Sequence, residues 1–168
     1  MSERPSESVS RTADDVLDAF QAAWSGRDPG AFHECCTSDV HYEDPVTAPI
    51  TGPDALAAHA QRLWQGFPDA RVERTGPRME HGDHVSAPLK IVATHKGELD
   101  GLPPTGKFVV IQAVVVAERH PDNGLLWRVR TFFDAYDAGV KLGLLPERGS
   151  MGGKALLMLR GFGLRARG

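Results

Sequence analysis

The sequence predicts an α+β domain with helices first and an antiparallel sheet after them. Apolar residues recur at helical spacing as far as Phe67, and from Ala70 the period changes to two. The length agrees, since 168 residues fit one domain of about 100–200 residues. A domain of this size buries about 70% of its unfolded surface, so it folds without disulfides or metal.

Three regions follow: a polar, mobile leader over 1–11, a domain over 12–146, and a basic, Gly-rich tail over 147–168 with a short helix near Ala155 to Leu159. Thr12 caps the first helix, with Asp15 completing a capping box and Asp14 complementing the helix dipole. Val16, Leu17, Phe20 and Trp24 mark its buried face, and Gly26 and Pro29 end it. A second, short helix fits Pro29 to Cys36 behind Asp28, with Phe32 and Cys36 inward. A short strand over 39–45 enters a turn at Pro45. The third helix opens at Thr51-Gly52-Pro53-Asp54, carries Leu56, Ala60, Leu63, Trp64 and Phe67 on one side, and closes at Phe67-Pro68-Asp69.

Strands are expected near 70–80, 84–96, 107–119 and 125–134, joined by His81-Gly82-Asp83, by the loop from Gly97 to Gly106 and by His120 to Gly124, whose Asn-Gly is a hairpin signal. Val109 to Ala117 is apolar almost throughout, as in a strand covered on both faces. Helices segregated to one face of a sheet leave a pocket between the layers. Its expected substrate-binding lining is Phe20, Trp24, Tyr42, Leu63, Trp64, Phe67 and Phe132.

Composition narrows the function. The formal net charge is −3, which disfavours nucleic acid, because phosphate binding needs a basic excess. No apolar run approaches the ~20 residues that span a bilayer, so stable membrane anchoring is not expected. The N-terminal residues lack a signal-peptide core, and the adjacent Cys35 and Cys36 cannot be bridged without strain. Both observations suit a reducing, cytoplasmic location.

Asp134 is the foremost catalytic candidate. It ends the strand Trp127 to Asp134 and shares a face with Phe132 and Arg130 by alternation. At the mouth of an apolar pocket, desolvation would raise its pKa and make it a general base. The alternative is a carboxylate paired with Arg130, which would depress the pKa. His95, at the end of its strand with Ala93 and Ile91 on the same face, is the second candidate, as a hydrogen-bond donor or proton relay; the alternative is a solvated turn residue. Aromatics on both faces of the last strand imply two coverings, the helices and a second subunit. His81-Gly82-Asp83-His84 and the set His33, Cys36 and His41 lack the spacing of a metal site. Phosphate-loop and Gly-x-Ser-x-Gly patterns are absent from the sequence.

The segment from Thr94-His95-Lys96-Gly97 through Thr105-Gly106-Lys107 resembles the SnoaL-like polyketide (ester) cyclases. Phe67-Pro68-Asp69, Gly82-Asp83, and Asp134 followed by Leu142-Gly143-Leu144-Leu145-Pro146 match in order over roughly 12–146. The resemblance implies a nuclear transport factor 2-like, cone-shaped fold, a homodimer through the sheet, a hydrophobic small-molecule substrate and no cofactor. It assigns the catalytic aspartate to Asp134 and the pocket histidine to His95, in a cofactor-independent cyclase or isomerase acting on a polyketide-like carbonyl compound. Ala93 and Lys141 depart from that pattern. A non-catalytic binding module is the alternative; a limonene-type epoxide hydrolase ranks lower, because no Arg-x-Asp occurs.

Overall fold

Thr12 opens helix α1 (Ala13–Gly26) as its capping box requires. Its hydroxyl accepts from the Asp15 backbone at 3.1 Å, and the Asp15 carboxylate accepts from the Thr12 backbone at 3.1 Å. The computed structural model describes residues 12–155 and 158; the leader and most of the tail lie outside them. Val16, Leu17 and Phe20 are buried, each contributing about 1.5–3 kcal/mol. The second expected helix is split. Asp28 accepts from Gly30 N, a 3-10 turn covers Pro29–Ala31, and α2 spans only Phe32–Cys35. Phe32 and Cys36 are buried as expected, with Cys36 already in the next strand. Helix α3 (Pro53–Gly66) starts after Gly52, whose φ of 88° suits glycine, with Pro53 in its first turn.

The sheet has the order β2-β1-β7-β6-β5-β3, with β4 also on β5. Its strands are β1 (Cys36–Asp44), β2 (Thr47–Thr51), β3 (Arg71–Arg74), β4 (Met79–His81), β5 (His84–Thr94), β6 (Phe108–Arg119) and β7 (Leu126–Phe133). The antiparallel β5-β6-β7 meander matches expectation to within two residues at each end. The expected strand 70–80 is two strands, β3 and β4, separated at Gly76-Pro77. A side chain at Gly76 would meet Pro88 Cγ at 2.9 Å.

Two further features were not anticipated. Strand β1 starts at Cys36 and pairs in parallel with β7, matching Tyr42 with Val129 and Glu43 with Arg130. The run after Pro45, expected as a turn, forms β2 on the edge of the sheet. Pro49 lies inside β2, and an edge position tolerates a residue without an N–H.

The inner face of the sheet carries Val85, Ala87, Leu89, Val109, Ala113, Val115 and Val129 onto α1 and α3. The outer face is open in the single chain: Phe108, Phe132, Val114 and Val116 are 62%, 53%, 40% and 36% exposed. The expectation that Val109 to Ala117 is covered on both faces therefore holds for the inner side only. Helix α4 (Ala135–Lys141) then folds back across the end of the meander. Among the described residues no helix is long and apolar enough to cross a membrane.

Candidate functional site

A cavity of about 430 Å³ lies between the helices and the inner face of the sheet. Phe20 and Trp24, one helical turn apart, project into it from α1. Leu63, Trp64 and Phe67 do so from the last turn of α3 and its cap. Trp64 Nε1 donates to the Trp24 carbonyl at 3.1 Å, which locks the two walls together. Ile91, Val109, Ile111 and Phe133 form the floor, and Ala138, Gly139, Leu142 and Leu144 close one end. Of the seven residues expected to line the pocket, Phe20, Trp24, Tyr42, Leu63, Trp64 and Phe67 do so. Phe132 does not, because alternation along β7 sends it to the outer face.

The cavity's polar groups are Tyr42, Asp44, Arg62, Asp100 and Thr131, among others, and several of them converge. Strand alternation puts Tyr42 and Asp44 on the same side of β1. Asp44 accepts from Tyr42 Oη at 3.2 Å and from Val46 N at 2.9 Å. His59 Nε2 stands 3.5 Å from Asp44 Oδ2, an ion-pair distance longer than a good hydrogen bond. Both side chains are only 5% exposed. On its other side, His59 Nδ1 accepts from Arg62 Nη2 at 3.1 Å, and Arg62 Nη1 donates to Asp100 at 2.6 Å.

The electrostatics define two protonation states. Burial acts to raise the Asp44 pKa, but the close approach of His59 and the hydrogen bonds from Val46 and Tyr42 outweigh it, so the carboxyl lies below its ordinary value and is ionised at neutral pH. The Tyr42 phenol is pushed up, first by burial and then by the Asp44 charge, against a hydrogen bond from Thr131. Tyr42 is therefore a proton donor throughout the neutral range. An ionised carboxylate beside a protonated phenol in an apolar chamber can take a proton and stabilise the negative oxygen that forms.

The two expected catalytic residues lie elsewhere. Asp134 does not line the cavity. It is the N-cap of α4, accepting from Asp137 N at 2.9 Å, and Arg148 Nη2 reaches both its oxygens at 2.9 and 3.2 Å. The cap bond and the Arg148 charge hold its carboxyl below the ordinary range, the reverse of the expected rise. Its partner is Arg148 rather than Arg130, which pairs with Glu43 at 3.2 Å. His95 is 1% exposed, neither solvated nor in the cavity lining. Its Nδ1 accepts from Thr105 N at 3.3 Å, and its ring lies 5.1 Å from that of Phe67. It thus pins the loop from Gly97 to Gly106 behind the cavity wall.

Asp44, His59 and Arg62 were not singled out from the sequence, yet two signals for them exist. Alternation from the expected pocket residue Tyr42 reaches Asp44, and His59 sits on the apolar stripe of α3 between Leu56 and Leu63. Among the described residues no group of three His, Cys, Asp or Glu side chains is placed to hold a metal ion.

Comparison with known proteins agrees with this architecture. The profile of the SnoaL-like polyketide cyclase family matches residues 14–137. AclR of Streptomyces galilaeus, a candidate hydroxylase, superposes with a TM-score of 0.66 at 22% identity, covering 80% of this chain and 86% of its own. IdmH of Streptomyces antibioticus, a candidate polyketide cyclase, gives 0.68 at 20% identity over 79% and 99%. A protein with a ketosteroid isomerase-like fold from Catenulispora acidiphila gives 0.68 at 19% identity over 79% and 95%. At these identities the likeness is one of fold. Among curated proteins none matches the chain.

Proposed function

The chain belongs to the SnoaL-like polyketide cyclase family, and on that premise we propose that it is an acid–base cyclase or isomerase acting on an apolar carbonyl compound, with Asp44 as the proton acceptor. The observation that carries this reading is an ionised carboxylate, buried with Tyr42 and His59, facing an otherwise largely apolar cavity. Asp44 takes a proton from a carbon next to a carbonyl, and the C–H electron pair moves onto the carbonyl oxygen. The enolate carbon then attacks a second carbonyl of the same molecule, and the new alkoxide takes the proton back from Asp44. No electrons are gained or lost, so the step itself calls for no redox partner.

The cavity supplies the larger share. Folding a flexible substrate into a near-attack geometry is worth up to about 7–11 kcal/mol, against about 10²–10⁴-fold from the base. A carboxylate of low pKa is a weak base, but ketosteroid isomerase uses an aspartate whose pKa is only modestly raised, with protonated donors at the developing oxyanion. Tyr42 fits that donor role here.

The exposed apolar outer face of β6 and β7 supports a homodimer through the sheet, a self-complementary use of one surface. Cys35 and Cys36 are buried with their sulfurs 3.9 Å apart and not bridged to each other, which suits a cytoplasmic location. We take 12–146 as the functional domain, with 1–11 as a leader and 147–168 as a basic tail.

One observation favours a second reading, a binding module without turnover: the hydrogen bonds that keep Asp44 ionised also weaken it as a base. The test uses apolar aromatic ketones bearing an enolisable carbon, incubated with the protein in heavy water. Saturable loss of the α-proton NMR signal supports the enzyme. Tight binding, read by calorimetry, without exchange in any ketone that binds would replace it with the binding module.

A further inference from the structure

We infer that Arg62 is a positioning residue that selects which ring nitrogen of His59 carries the proton, and that it ties this choice to the loop carrying Asp100; the consequence for turnover rests on the role proposed for Asp44. A neutral imidazole has one N–H donor and one acceptor nitrogen. A guanidinium is always protonated and can only donate. Arg62 Nη2 lies 3.1 Å from His59 Nδ1, so Nδ1 presents its lone pair and the proton resides on Nε2. That proton faces Asp44 Oδ2, 3.5 Å away.

The other tautomer reverses both contacts. It would set an N–H against the guanidinium and a lone pair against the carboxylate, with His59 only 6% exposed and little water to relieve either. The groups facing His59 are Asp44 from β1, Arg62 from its own helix, and the rings of Trp24 and Tyr42 at 6.1 Å. Arg62 is the charged donor among them. Because Nε2 already holds a proton, His59 is not the acceptor for a proton taken by Asp44.

Arg62 is itself held from the cavity mouth. Asp100 accepts from Nη1 at 2.6 Å, and its backbone has a φ of 51°, unusual for a side-chain-bearing residue. Asp100 lies between Leu99 and Leu102, which bridge each other and line the cavity. The Arg62–Asp100 pair is half-exposed, 43% and 56%, so it adds little stability. Its effect is to orient the guanidinium: a substrate packed on Leu99 and Leu102 holds Asp100, and through it the tautomer behind Asp44.

The experiment is a long-range proton–nitrogen NMR correlation on the ¹⁵N-labelled, substrate-free protein near pH 8, with the pH–rate profile of ketone exchange as second readout. Wild type shows His59 as the Nε2–H tautomer alone. Arg62→Met gives a mixture of tautomers and moves the acid limb of the profile to higher pH, because Asp44 loses part of the His59 contact that helps hold its pKa down. Arg62→Lys, which restores a cationic donor, recovers the wild-type tautomer in part. Asp100→Asn moves the spectrum the same way by less, and decides the matter if Arg62→Met fails to fold. An Nδ1–H signal in wild type, or an unchanged tautomer in Arg62→Met and Asp100→Asn, overturns the inference. A shifted tautomer with an unmoved acid limb overturns the link to Asp44. The tautomer is read without substrate, so a protein that binds ketones but does not exchange them refutes the proposed activity and leaves this assignment standing.

Discussion

Replacing Asp44 with asparagine separates chemistry from folding, and the structure sets both magnitudes. The side chain accepts from Val46 N on one oxygen and faces Tyr42 Oη and His59 Nε2 on the other. An amide keeps one oxygen, which serves best where two donors converge, leaving Val46 N opposite an NH₂ group. One orphaned donor costs about 1–3 kcal/mol, a small part of the usual 5–15 kcal/mol, and lowers Tm by about 2–4 °C per kcal/mol in a domain this long. The variant stays folded. Loss of the base lowers ketone exchange by about 10²–10⁴-fold, or about 2.7–5.4 kcal/mol of barrier at 1.36 kcal/mol per tenfold. Asp134→Asn is the matched control. Asparagine caps a helix as well as aspartate does, and the ion pair to Arg148 is half-exposed, 49% and 68%, so solvent screens it and its loss costs little. Rates are measured by NMR in heavy water under saturating ketone, with melting curves on the same samples. Full exchange in Asp44→Asn together with its loss in Asp134→Asn would refute the reasoning and return the chemistry to the strand-end aspartate.

Three further outcomes test the frame around the site. Phe132→Glu, at a position 53% exposed on the outer sheet face, shifts the protein from dimer to monomer in light-scattering chromatography; a wild type that is already monomeric at high concentration removes the sheet dimer. Gly97→Ala would bring a Cβ within 1.9 Å of the Gln65 carbonyl, whereas Gly26→Ala meets nothing within 4 Å. The first destabilises by about 1–3 kcal/mol in denaturant melts, and the second serves as control. Asp69 accepts from Thr94 N at 2.7 Å and pairs with Lys96 at 3.0 Å; the Thr94 bond foremost holds its pKa well below the usual carboxylate range. A depressed folded-state pKa gives stability that is complete above the unfolded value near 4 and is lost as pH falls. Tm therefore drops below about pH 4, and Asp69→Asn flattens that drop.

Local physics made most of the elements readable. The capping box at Thr12 and the Asn123-Gly124 turn each act within a few residues, and both appear where expected. The apolar stripes of α1 and α3 brought Phe20, Trp24, Leu63, Trp64 and Phe67 to one cavity, because an amphipathic helix has one face to bury. Strand β2 escaped for a reason equally local. Pro49 argues against a strand, and only knowledge that β2 lies at the sheet edge removes the objection.

The position of the acidic group was a different problem, one of parity. Alternation sorts β7 into Val129, Thr131 and Phe133 on one face and Arg130, Phe132 and Asp134 on the other. With an aromatic in each set, the pattern does not say which set meets the helices. The deciding contact is remote: β1 lies parallel to β7 with Tyr42 opposite Val129, and paired residues share a face. Tyr42 is buried against Phe20 and Trp24, so Val129, Thr131 and Phe133 turn inward with it, and Asp134 turns out. The same parity carries Asp44 inward, two residues beyond Tyr42. A single long-range pairing thus moves the buried carboxylate from the last strand to the first.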